Sequence, residues 1–175
     1  MFDNRNSLQK SVIIGLLVSI GLILHVVEGM LPMNAVVPGA KLGLANISNL
    51  LGLFLFGFQA GLQILILRIV LGSLLAGTFM TINFYFSLSG GLLGFLAMAV
   101  VYYCLSSCFS IIGVSVVGSV FHNLGQVLIA YFIIVSGGIF YYLPFLLLLA
   151  VPTGLGVGLV SYFTLNYLPE EGVYA

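Results

Sequence analysis

Long apolar blocks separated by short polar interruptions make up almost the whole chain. A membrane-spanning helix needs about 20 apolar residues. On that measure the pattern predicts six helices: Ser11 to Gly29, Leu42 to Phe56, Gln59 to Ala76, Ser89 to Ser107, Gly113 to Val135 and Phe140 to Tyr167. At ~1.5 Å rise per residue the second is too short to cross a hydrocarbon core. Residues 31–41 should therefore dip into the protein, where irregular backbone is tolerated only when it is buried or lines a cavity. Gly57 marks a tight turn. Gly77 to Ser87 reads as a polar-aromatic connection, Gly137-Gly138 as a turn, and Pro152-Thr153-Gly154 as an interruption of the last helix. The expected class is all-α, a polytopic membrane protein of one domain. Residues 1–10 form a cytoplasmic N-terminal segment, 11–167 the six-helix transmembrane domain and 168–175 a cytoplasmic tail.

Composition agrees with that pattern. The chain has 175 residues, of which 62% are hydrophobic and 5% charged. A soluble domain carries about 25% charged residues, so this much apolar surface requires a bilayer. The net charge is zero, which gives nucleic acid nothing to bind. Arg5 and Lys10 precede the first apolar block and place the N-terminus in the cytoplasm. No Ala-x-Ala-like cleavage site follows that block, so it reads as an uncleaved first helix. Cys104 and Cys108 lie four apart and read as reduced packing residues on one helix face.

Between the flanks only Glu28, Lys41 and Arg68 carry charge. Charged groups are costly in lipid and mark a site or a pair. Pro38 and Gly39 stop any earlier helix, and a new one starting near Ala40 puts Lys41 at its N-terminus. Unpaired N–H groups and the helix dipole favour an anion there. The alternative is a polar loop whose lysine snorkels to headgroups. Arg68 falls about 13 Å into the third helix, near the midplane. It needs a carboxylate, backbone carbonyls or a bound anion. Structural pairing with Glu28 and a net-positive ligand site both remain open. Glu28 stands near the outer end of the first helix, where snorkelling alone can account for it. His25 either orients Glu28 or sits at the interface, with the interface preferred.

Ser115, Ser119, His122 and Gln126 share one face of the fifth helix, and Asn123 flanks them. His122 has about the same depth as Arg68. This stripe reads as the lining of a cavity, with interhelical hydrogen bonding as the alternative. Small residues also recur at four-residue spacing: Gly15 and Ser19, Gly72 and Ala76, Gly90 and Gly94, Gly154 and Gly158. Such spacing lets helices approach closely, and Gly15 with Ser19 could face a partner helix.

No phosphate-loop motif, clustered carboxylates, metal-ligand set or nucleophilic triad can be assembled. The expectation is therefore no catalytic residue, no metal and no cofactor.

Pro38-Gly-Ala-Lys-Leu-Gly-Leu-Ala-Asn46, Ser87-Leu-Ser-Gly-Gly91 and Gly118-Ser-Val-Phe-His-Asn-Leu-Gly-Gln126 together resemble the Gx transporter family, also labelled heptaprenyl diphosphate synthase component I. That family is similar to the S components of energy-coupling factor transporters. The resemblance implies an S-component-like bundle in the bacterial inner membrane that binds a small anionic or polar solute. Lys41, Asn46, His122, Asn123 and Gln126 become candidate ligand or gate residues, joined by Arg68 from the charge argument. A coupling transmembrane subunit and ATPases are the implied partners. The Ala-x-x-x-Ala docking pattern of S components is replaced here by Gly15-x-x-x-Ser19. The synthase label implies instead a non-catalytic membrane component with a soluble synthase subunit as partner, since the aspartate-rich motifs of prenyl diphosphate synthases are missing.

Overall fold

The computed structural model describes residues 4–30, 43–134 and 137–168, and within them the chain is all-α. Six α-helices run in order: α1 (Asn4–Met30), α2 (Asn46–Phe56), α3 (Phe58–Leu75), α4 (Ile82–Cys104), α5 (Ile111–Ile134) and α6 (Leu143–Tyr167). A 3-10 segment, Gly137–Tyr142, leads into α6. All but α2 are long and apolar enough to cross a membrane, so the chain is a multi-pass membrane protein.

The shortest helix is the most enclosed. Every residue of α2 from Asn46 to Leu53 is buried, and the helix packs against α1, α3, α4 and α6. Its 11 residues reach only ~16 Å. Gly57 adopts φ +83°, a left-handed conformation that costs glycine little, and reverses the chain into α3. Small residues let the two arms of this hairpin touch: a Cβ built on Gly61 would lie 3.1 Å from the Leu53 nitrogen. Leu50, Leu53, Ile64, Leu65 and Phe95 form the centre of the apolar core. Asn46 and Arg68 are each eleven positions from Gly57, so the hairpin brings them level, halfway along the bundle.

Close glycine contacts hold α4, α5 and α6 together. A Cβ on Gly94 would lie 2.7 Å from the Gly118 carbonyl oxygen, and one on Gly154 would lie 2.7 Å from the Val116 Cα. Ser89 Oγ donates to the Gly125 carbonyl at 2.7 Å, and Asn123 Nδ2 donates to the Leu146 carbonyl at 2.7 Å. These bonds join α4 to α5 and α5 to α6.

Several boundaries differ from the apolar pattern. Helix α1 begins at Asn4, seven residues before the apolar block, because no glycine or proline separates its polar first turns from the rest. Helix α2 begins at Asn46, not near Ala40: Gly43 has φ +72°, and Leu44 and Ala45 form a turn. Residues 82–88 belong to α4, so the expected connection from Gly77 to Ser87 shrinks to the segment before Ile82. Their aromatic and polar side chains hid a helical start. Helix α6 runs through Pro152 without a break. Next to it, Thr153 Oγ1 donates to the Leu149 and Ala150 carbonyls at 3.1 Å. Cys104 ends α4 and Cys108 follows it in a turn, both exposed, so they are not packing residues on a shared helix face.

Candidate functional site

Arg68 extends from α3 into the middle of the protein and is 5% exposed. Its surroundings are set by its neighbours' size. On α1, Gly21 leaves room for the arginine stem: a Cβ there would sit 2.8 Å from Arg68 Cδ and 2.5 Å from Ser48 Oγ. On α2, Asn46 Oδ1 accepts from Arg68 Nη2 at 3.5 Å, a long contact, and from Asn49 Nδ2 at 3.4 Å. Arg68 Nε has no hydrogen-bond partner among the described residues. A guanidinium offers five N–H donors, and among the described residues the Nε donor of this one is left without an acceptor. Buried polar groups left in that state are costly in an apolar medium.

A small cavity adjoins the guanidinium. It is lined by His25, Glu28, Gly43, Ala45, Asn46, Arg68, Ser87 and His122, and has room for about one water molecule. Side chains of five helices converge there because each passes the same level of the bundle. The Glu28 carboxylate, 9% exposed, accepts a hydrogen bond from the Gly43 N–H just before α2. It also lies within Coulombic reach of Arg68. The described cavity therefore holds one negative and one positive side chain, with two imidazoles, an amide and a hydroxyl around them.

The structure brings Glu28, Asn46, Arg68 and His122 together at this cavity. Gln126 stands behind them: its Nε2 meets His122 Nε2 at 3.1 Å, and its Oε1 has no partner among the described residues. An amide assigned the other way round would exchange those two atoms, so one end stays without a partner in either case. Asn123 does not line the cavity, since its amide is engaged by Leu146 of α6. Ser115 and Ser119 also face α6, beside Gly154 and Gly158. The polar stripe of α5 is thus divided: its lower serines pack, while His122 reaches the cavity.

Glu28 is buried in the site and not snorkelling, and His25 lines the same cavity in place of the expected interface position. Lys41 lies outside the described residues, as does the whole 31–41 stretch around it. A Cβ added to Gly15 would meet nothing within 4 Å, and Ser19 is exposed with its hydroxyl donating to the Gly15 carbonyl at 2.9 Å. Three residues escaped the sequence reading. Gly21 gives no signal without knowledge of Arg68, Gly43 is ordinary among 22 glycines, and Ser87 was visible only as the first residue of the Ser87 to Gly91 motif.

Among the described residues no group of three or more His, Cys, Asp or Glu side chains could hold a metal ion. What the arrangement can do is bind. A guanidinium, an imidazole, amide groups and a backbone N–H offer donors to a small polar guest, and Glu28 offers the acceptor.

Residues 17–164 match the model of a family described as heptaprenyl diphosphate synthase component I. No curated protein and no solved structure matches the chain.

Proposed function

The chain belongs to the heptaprenyl diphosphate synthase component I family, and for a member built in this way we propose the role of a membrane-embedded binding subunit that takes up a small anionic or polar solute. The observation that carries this reading is Arg68: a buried guanidinium whose Nε has no partner among the described residues, beside a polar cavity inside the bundle. A structural arginine would need its donors satisfied by the protein. Arg5 and Lys10 at the start of α1 orient that end to the cytoplasm by the positive-inside rule. The α1 residues of the cavity, His25 and Glu28, lie toward the opposite end of that helix, so solute would reach it from outside. Loading from that side and passing the solute inward, in company with a coupling subunit and ATPases, is the S-component-like arrangement.

The second reading is a non-catalytic membrane component of heptaprenyl diphosphate synthesis. The family's description supports it. Asp3 is the chain's single aspartate, so the diphosphate chemistry would belong to a soluble synthase partner.

Native mass spectrometry of the chain, gently extracted from its own membranes, separates the two. A small polar molecule retained by the chain, or co-extracted ATPase and coupling subunits, is the result expected for a solute carrier. A soluble prenyl synthase subunit with no retained small molecule would replace that reading with the second.

A further inference from the structure

Glu28 is the only carboxylate among the described residues. What surrounds it is built from donors. The Gly43 N–H donates to it. Arg68 lines the same cavity within Coulombic reach of it, with Nε unpartnered among the described residues. The Asn46 amide nitrogen stands close to Gly43, 3.0 Å from where a Cβ on that glycine would be. Such a cradle suits a carboxylate, and the chain fills it with its own. The space left among the described residues holds about one water, so a second carboxylate has no room there while Glu28 stays.

We propose that Glu28 is a resident surrogate for the ligand, and that the ligand presents a carboxylate which displaces Glu28 from the Gly43 N–H and takes its place near Arg68. This rests on the solute-binding reading above and names its substrate class. It also gives binding a mechanical consequence. The Glu28 to Gly43 bond ties the last turns of α1 to the start of α2, and the exchange releases that tie.

The alternative role for Glu28 is recognition of a cationic group on a zwitterionic ligand. The two differ in sign. Two carboxylates competing for one guanidinium repel, so neutralising the resident one strengthens binding of the other. Neutralising a group that contacts the ligand's cation has no such effect on a simple carboxylate.

The test uses the full chain in lipid nanodiscs, with acetate as probe and acetamide as its neutral isostere, and reads dissociation constants by ligand-observed NMR. Glu28→Gln and Glu28→Ala are expected to bind acetate about tenfold more tightly than wild type, with no change for acetamide. The double variant Glu28→Gln/Arg68→Gln is expected to lose acetate binding. Acetate binding that depends on Arg68 but is unchanged or weaker in both Glu28 variants would overturn the surrogate role and leave the solute site standing. Absence of Arg68-dependent acetate binding in every variant would remove the site itself. Should Glu28→Gln not fold, Glu28→Ala extracted in acetate answers the same question. A folded yield restored by acetate and not by acetamide is expected, and equal yields would contradict the proposal.

Discussion

Buried polar side chains lie in both halves of the bundle but, apart from His122 and Gln126 of α5, those of the two halves face different things. In the half built from α1, α2 and α3, Glu28, Asn46 and Arg68 converge on a cavity. In the half built from α4, α5 and α6, Ser115, Ser119 and Asn123 fill seams where glycines have brought backbones together. The residue types are similar. Their surroundings differ with the partner opposite: a glycine ridge turns a serine into packing, whereas a guanidinium with Nε unpartnered among the described residues places an asparagine in a candidate site. Polarity within a membrane helix therefore identifies a binding residue only together with what it faces.

The largest effect should come from breaking the charged half. Arg68 and Glu28 are both buried and within Coulombic reach of each other, and removing one of two such charges leaves the other less compensated, at up to about 3–5 kcal/mol. Arg68→Gln should therefore destabilise the protein by that order, and Glu28→Gln in the same chain should recover part of it. Thermal unfolding of both single variants and the double variant gives the coupling, expected at about 1–3 kcal/mol. Additive effects would show that the two charges do not act on each other.

Next comes the packed half. Gly154→Val forces a side chain against the Val116 Cα and should cost about 3 kcal/mol. The same change at Gly156, which has nothing within 4 Å, should stay within ~0.5 kcal/mol. Equal losses in chemical denaturation would show that the seam between α5 and α6 is not close-packed.

Smaller effects separate packing from binding. Asn123→Ala removes the bond to Leu146 and should cost about 1 kcal/mol of stability without altering solute affinity. Gly21→Ala pushes on the Arg68 stem and should weaken binding about tenfold, because a small displacement of a binding group is costly. Ser115 Oγ has no partner among the described residues, so Ser115→Ala should change neither stability nor binding by more than ~0.5 kcal/mol. Affinity and unfolding measured on the same three variants would blur the division if Asn123→Ala weakened binding as much as Gly21→Ala.

Much of this was legible in the sequence. Apolar blocks gave the all-α class and the six helices, because a bilayer fixes the length and composition of a span. Charge scarcity pointed to Arg68 and Glu28 for the same reason. The limits were also physical. Hydropathy reports what lies in lipid and not where a helix starts, so the polar first turns of α1 and the aromatic first turns of α4 were missed. Periodicity places Ser115, Ser119, His122 and Gln126 on one face but says nothing of which helix covers each part of it. Gly21 and Gly43 owe their roles to Arg68 and Glu28, which are near them only after folding.

The central claim is that the Arg68 cavity holds a solute. The most direct measurement is the thermal stability of the purified chain in the presence of fractionated small-molecule extract from its own cells, compared with the Glu28→Gln/Arg68→Gln variant. A ligand present at about 100 times its dissociation constant stabilises by ~2.7 kcal/mol, which for a chain of this size raises the midpoint by about 5–10 °C. The account predicts that an anionic fraction produces a shift of that order in the wild type and none in the double variant. Equal shifts in both proteins, or no shift with any fraction, would contradict it.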